Sequence, residues 1–286
     1  MSTYKTEGII IKRNNFLEAS LILDIWTKDY GKVEAVARSA RKIKGKLKGH
    51  LELFLWTELI FAKGKNIDTI TSSLTIESFS NLRNNLEFSY GAYYILELVD
   101  KMTIEGHRDE RVFCLLLDSL KKINNLNKIN STKATFRNVT FVELILFFQT
   151  NLLNLTGFSP ELNKCVLCEK PIKSGNNYFS FSMGGIVGGE CGLHSGSTAL
   201  KGQWSQRIMF ISDNAIKLLR LFQFRGGDLK KYNLHLNKCF EIIKKLKVDE
   251  KLVLDNIFLM NKFIEFNVEK KIKGVDFLRG VLGQKD

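Results

Sequence analysis

Cys165-Val-Leu-Cys168 and Cys191-Gly-Leu-His194 are two pairs of soft ligands, each with two residues between its members and with 22 residues between the pairs. Three thiolates and one imidazole make a complete tetrahedral set for zinc. The short spacing lets both side chains of a pair converge on one ion from a tight turn. Gly184, Gly185, Gly188 and Gly189 allow the backbone between the pairs to fold back sharply. Four protein ligands leave no open position, so the expected cofactor is a structural Zn2+ held by Cys165, Cys168, Cys191 and His194. The competing reading is three small buried side chains and an incidental His. Cys114 and Cys239 sit in apolar helical stretches and are expected to pack in cores.

A second constellation is electrostatic. Arg38, Arg41, Lys42, Lys44, Lys46 and Lys48 follow one another with no acid among them, and Gly45 and Gly49 loosen the run. Such a loop can lie along a phosphate backbone and release the counterions it displaces. The bland alternative is a solvated loop that is basic for solubility. Phe16, Trp26, Tyr30, Phe54 and Trp56 lie in or beside neighbouring strands. Rings of this kind stack on bases in single-strand-binding barrels, although at strand spacing most belong to a core. A third cluster, Lys270, Lys271, Lys273 and Arg279, suits DNA, an acidic peptide tail or a solvated helix end equally well.

Catalytic signatures are thin. The sequence holds no HExxH and no GxxxxGK[ST], and Cys165 follows Lys164 where a zinc deaminase would place Pro. Four His, one of them assigned to the metal, supply little acid–base chemistry. A non-enzyme is expected.

The elements that must carry these groups fall into two periods. Gly8–Lys12, Leu21–Thr27, Gly31–Ala37, Leu51–Phe61 and Asp68–Ser72 are rich in β-branched and aromatic residues, with breaks at Asn14-Asn15 and Asp29-Tyr30-Gly31. Five short strands in this length suit a small barrel, of which the oligonucleotide-binding (OB) fold is one; other small β-domains stay open on pattern alone. From Leu86 the period becomes helical. Leu86, Tyr90, Tyr93, Tyr94 and Leu98 share a face, and 111–123 and 133–155 repeat the pattern until Gly157 and Pro160 end it. Ala215, Leu218, Leu219 and Phe222 form a later stripe capped at Ser212 or Asp213, and 241–246 and 252–266 also read as helix.

Over 286 residues the net charge is +13, distributed as +4 in 1–80, +1 in 81–160, +1 in 161–204 and +7 in 205–286. A 44% hydrophobic, 26% charged chain folds, and its excess of cations calls for an anionic partner. Met1–Ile10 lacks the basic-then-apolar pattern of an export signal, and the apolar run Phe141–Phe148 is too short to span a bilayer and carries Glu143. Five Cys, three of them clustered, favour reduced thiols. An α+β multidomain chain is expected: an N-terminal OB-fold barrel over 1–80, then an all-helical domain over 81–160 and 205–286, with a zinc-ribbon-like insertion at 161–204.

The order of barrel, basic loop, helices, knuckles and closing helices resembles the bacterial RecO family of recombination mediators. The likeness runs through Gly8–Lys12, Glu18–Trp26 (EASLILDIW), Tyr30–Lys42 (YGKVEAVARSARK) and Val142–Cys168. It continues through Phe179–Val187 (FSFSMGGIV), Ser212–Arg220 (SDNAIKLLR) and Phe263–Leu278. The chain departs from the family pattern at Gly274, where Ser is usual, and at Asn267, where His is common.

The resemblance implies binding of single- and double-stranded DNA and annealing of complementary strands, including strands coated by single-stranded DNA-binding protein (SSB). It further implies partnership with RecR in loading RecA at gaps, in a cytoplasmic, nucleoid-associated setting with no membrane role. By position, Lys12, Arg13, Arg38, Arg41, Lys42, Lys44, Lys46 and Lys48 would hold DNA, and Arg220, Lys270, Lys271 and Lys273 would rim a groove for the SSB tail. An RNA-binding barrel with a zinc ribbon and a non-catalytic protein adaptor are the readings from other classes.

Overall fold

The computed structural model describes residues 2–42, 47, 49–126, 139–194, 208–224, 229–246 and 248–281. Two compact units divide the chain: Met1–Thr135 together with Lys273–Asp286, and Phe136–Ile272.

In the first unit, β1 (Thr3–Phe16), β2 (Ser20–Thr27), β3 (Gly31–Ala37), β4 (Trp56–Ala62) and β5 (Asp68–Glu77) close a barrel in the order β1-β2-β3-β5-β4. This is the OB topology expected from the strand pattern. The long first strand serves two partners. β1 pairs β4 from Thr3↔Ala62 to Ile9↔Trp56 and β2 from Gly8↔Thr27 to Phe16↔Ser20, and a bulge between Ile10 and Lys12 interrupts the second ladder. β3 and β5 close the barrel with a short parallel pairing at Ala35↔Asp68. Ile10, Leu21, Leu23, Ile25, Ala35, Leu59, Phe61 and Ile70 fill the interior.

The fourth strand starts later than its alternation suggests. Leu51 and Leu55 join the barrel core instead, and Phe54 takes a left-handed φ of 73°. Bonds from His50 N to Leu47 O and from Leu55 N to Glu52 O fold this stretch into turns. Apolar residues at every second position can line a strand or plug a barrel end, and burial of Leu51, Phe54 and Leu55 selects the second.

Helices α1 (Ser80–Asn84), α2 (Leu86–Met102) and α3 (Glu110–Leu126) follow in the same unit. The Asn85 side chain caps α2 by accepting from Phe88 N at 3.1 Å. The closing helix α9 (Gly274–Val281) packs on α2, and the Glu97 carboxylate accepts from Lys273 N at 3.0 Å and Gly274 N at 2.7 Å. A Cβ at Gly274 would lie 2.9 Å from the Tyr94 Cα, which is why the smallest residue stands here.

Lys32 of β3 reaches Asp100 of α2, donating Nζ to Oδ1 at 2.5 Å and to the backbone carbonyl at 2.9 Å, with side chains 18% and 10% exposed. Burial alone would raise the Asp100 pKa. The Lys32 ammonium, helped by Lys12 and Lys101, outweighs it and holds the carboxyl below the ordinary aspartate value. A depressed folded pKa stabilises above the unfolded value near 3.9 and is lost as pH falls through the folded one. Asp100→Asn is therefore expected to cost about 2 kcal/mol at pH 7. In urea unfolding the gap between wild type and variant should narrow as pH falls from about 4. A gap independent of pH would place the loss elsewhere.

The second unit is built on α4 (Val139–Leu155), α6 (Asp213–Phe222), α7 (Leu229–Leu246) and α8 (Glu250–Val268), with a three-stranded sheet of β6 (Asn177–Ser180), β7 (Gly185–Val187) and β8 (Ile208–Ile211) and the short helix α5 (Gly189–His194). Phe141 to Leu153 of α4 are buried on all sides, as a helix apolar around its circumference must be. Its amides donate to backbone carbonyls of neighbouring elements. Gln149 Nε2 donates to Ile257 O at 3.1 Å; Asn151 Nδ2 donates to Phe222 O at 2.9 Å while its Oδ1 accepts from Phe224 N. Ser212 is the cap of α6, accepting from Ala215 N at 3.2 Å.

The expected helical domain joins 81–160 to 205–286; by packing, α1–α3 and α9 group with the barrel and α4–α8 with the cysteine segment. Among the described residues no helix is long and apolar enough to cross a membrane.

Candidate nucleic-acid interface and metal centre

The basic residues expected to hold phosphate differ in how free their charges are. Lys12 Nζ lies 3.1 Å from Asp24 Oδ2, and that hydrogen bond, against the effect of burial, raises the lysine pKa. Arg13 Nη2 lies 3.5 Å from Glu52 Oε1. Both charges are partly neutralised by their own fold. Arg38, Arg41 and Lys42 are exposed just past the end of β3. Lys44, Lys46 and Lys48 lie outside the described residues.

Arg41 ties this segment to the tip of the β1–β2 hairpin. Its backbone N donates to Ala19 O at 3.0 Å, and its Nη1 to Glu18 O at 3.3 Å. The tip has three residues, Leu17-Glu18-Ala19, between Phe16 and its partner Ser20. Leu17 takes a φ of 50°, a left-handed conformation costing a branched L-residue roughly 1–2 kcal/mol, and is 75% exposed. Leu17 is not among the residues that the charge and aromatic patterns single out. The available signal was an apolar side chain in a short hairpin loop where Gly, Asn or Asp is usual.

Burial sorts the five candidate aromatics. Trp26 and Phe54 are core residues at 1% and 3% exposure. Trp56 is half-buried, donates Nε1 to Glu7 at 3.2 Å and carries the Lys121 ammonium 4.5 Å above its ring centroid. Phe16 and Tyr30 remain exposed, and Tyr30 leans on Tyr4 with ring centroids 4.6 Å apart.

The cysteine segment brings together three of its four expected ligands. The sulfurs of Cys165, Cys168 and Cys191 lie within 4.8 Å of one another, close to the separation that two bonds of about 2.3 Å to one zinc allow. Cys165 and Cys168 come from a turn closed by Glu169 N to Cys165 O at 2.8 Å and Cys165 N to Lys170 O at 2.8 Å. The second pair stands on α5 and not on a second tight turn. Cys191 and His194 are three residues apart in that helix; the His194 side chain lies outside the described residues. A Cβ at Gly185 would fall 2.5 Å from the Glu161 carbonyl, so that strand crosses the segment only as glycine.

The electrostatics suit a cation. Burial opposes ionisation of Cys165, but N–H groups of Gly188, Cys168 and Leu167 aimed at its sulfur, the first at 3.4 Å, bring the thiol down to about 7. The hydrogen bond to Cys168, followed by burial, pushes Cys191 up to about 12. Neighbouring sulfurs thus resist sharing more than one negative charge, and a divalent ion would let all ionise together. The donor set fits a thiophilic metal. The three line a cleft of about 190 Å³ together with Lys170 and Lys173.

The four cations assigned to a partner tail are not equivalent. Lys270 and Lys271 are exposed just beyond α8, and Lys273 is exposed where α9 begins. Arg220 spends its guanidinium internally, donating Nε to Leu162 O at 2.8 Å, with Nη2 on the same carbonyl.

The comparisons with known proteins agree over most of the length. A family model described as "Recombination protein O N terminal" matches residues 1–79, and one described as "Recombination protein O C terminal" matches 83–233. A DNA repair protein RecO of Dehalococcoides mccartyi strain 195 is 36% identical over 247 residues, covering 86% of this chain and 87% of its own. A second, from strain CBDB1, is 33% identical over 276 residues, covering 96% and 94%. A third, from Desulforamulus reducens, is 27% identical over 278 residues, covering 97% and 94%. The chain belongs to the RecO family.

Proposed function

We propose that this protein is a DNA repair and recombination mediator that binds single- and double-stranded DNA, anneals complementary strands coated by SSB and, with RecR, helps load RecA at gaps. Family membership along the chain, together with an OB barrel bearing an acid-free basic segment at one end, carries the reading. Arg38, Arg41, Lys42, Lys44, Lys46 and Lys48 hold phosphates, with Lys12 and Arg13 contributing less because Asp24 and Glu52 already compensate them. Annealing needs two strands whose charge is neutralised while their base edges stay free, which backbone contacts from long cations provide. No bond is made or broken. The protein acts in the bacterial cytoplasm at the nucleoid.

The metal is a structural Zn2+ held by Cys165, Cys168, Cys191 and His194, and it supplies a cross-link between turn and helix. The acidic SSB tail meets Lys270, Lys271 and Lys273. Arg220 contributes through the position of the Leu162 backbone it grips.

The test is competition between DNA and RNA oligonucleotides of one sequence at moderate salt. Tighter DNA binding supports the mediator. A preference for RNA, through contacts to the 2′-hydroxyl, would replace it with an RNA-maturation protein, and no binding to either would leave an adaptor.

A further inference from the structure

Phe16 and Leu17 present two large apolar side chains to solvent, 39% and 75% exposed, at the tip of the β1–β2 hairpin. Nothing in the barrel core calls for them there. A polar residue or glycine would satisfy the turn, and glycine would also remove the left-handed strain at Leu17. Strained, exposed apolar residues at a loop tip point to contact with something outside the chain.

What they would touch follows from their neighbours. Arg41 bonds the tip backbone at Glu18 and Ala19, which fixes the tip beside the exposed Arg38, Arg41 and Lys42. Glu18 is the tip's only acid, and the segment Arg38–Lys42 has none. An apolar point set against fixed cations matches a polyanion that also offers flat apolar faces. Unpaired nucleobases have such faces; those inside a duplex are already stacked on each other.

Resting on the DNA-binding reading above, we propose that Phe16 and Leu17 form a base-stacking tip that engages the unpaired bases of a strand whose phosphates run along Arg38, Arg41 and Lys42. The tip discriminates single strands from duplex, while the cations serve both. During annealing it holds bases apart on one strand until a complementary strand recaptures them.

The test is a Phe16→Ala/Leu17→Gly double variant of the full chain, with fluorescence anisotropy on an oligothymidine and on a hairpin duplex across a salt series. Loss of stacking should weaken oligothymidine binding about 5- to 100-fold. Duplex affinity and the salt slope should stay unchanged, because no phosphate contact is removed. The unfolding midpoint should hold or rise, since glycine accepts the left-handed turn. Equal weakening on both ligands, or none on the single strand, would overturn the stacking tip while leaving DNA binding intact. A wild-type protein that bound neither ligand would overturn the DNA-binding reading and the tip with it.

Discussion

Cys165→Ser is expected to strip the second unit of its metal and unfold the cysteine segment. Wild-type protein should carry about one zinc per chain by elemental analysis and the variant far less. Structural zinc contributes about 10–16 kcal/mol in small zinc-dependent folds, more than most single domains have to spare. The elements of residues 161–194 are short: β6 and β7 span four and three residues, and Phe179, Ile186 and Val187 are their buried apolar side chains. Limited proteolysis should cut the variant in this segment and leave the barrel intact. Cys239→Ser is the control. Cys239 is buried, donates to Leu221 O at 3.2 Å and is pushed up to about 12 by burial, so it stays a thiol away from the cluster. Its replacement should leave zinc content unchanged. A metal-free wild type that is stable and resists protease would refute the site.

The second large effect is electrostatic. Replacing Arg38, Lys42 and Lys44 by Gln should flatten the dependence of log affinity on log salt for single-stranded DNA by about two units, since each phosphate contact contributes roughly 0.7. At 0.1 M salt this amounts to roughly a hundredfold weaker binding, and the loss should shrink toward 1 M. Arg41 is spared because its guanidinium also positions the hairpin tip through the Glu18 carbonyl. An unchanged slope would move the phosphate contacts to another surface.

The barrel was readable because β-branched residues at strand period and glycine-marked turns are local signals. Its fourth strand was misplaced at Leu51 because strand period also fits residues that plug an end, and only burial distinguishes them. The strands β6, β7 and β8 are too short to leave a period; β6 and β7 pair as a local hairpin closing at Ser180↔Gly185, and β8 joins β6 from farther along the chain at Ser180↔Ile208. The cluster of Cys165, Cys168 and Cys191 was legible from spacing alone, but the helix under Cys191 was not. Charge counting found the basic end of the barrel. It could not find Asp24 opposite Lys12, Glu52 opposite Arg13 or the Leu162 carbonyl beneath Arg220, because each partner comes from a distant stretch of chain. For the same reason five candidate aromatics became two exposed ones, Phe16 and Tyr30, only once the fold was in place.

The most direct measurement is the rate at which complementary oligonucleotides coated with the cognate SSB anneal, with and without the protein and in the absence of nucleotide. Annealing that accelerates with added protein, and loses that acceleration steeply as salt rises, is the expected result. An unchanged rate at low salt, with SSB-coated strands bound but never paired, would contradict the mediator role.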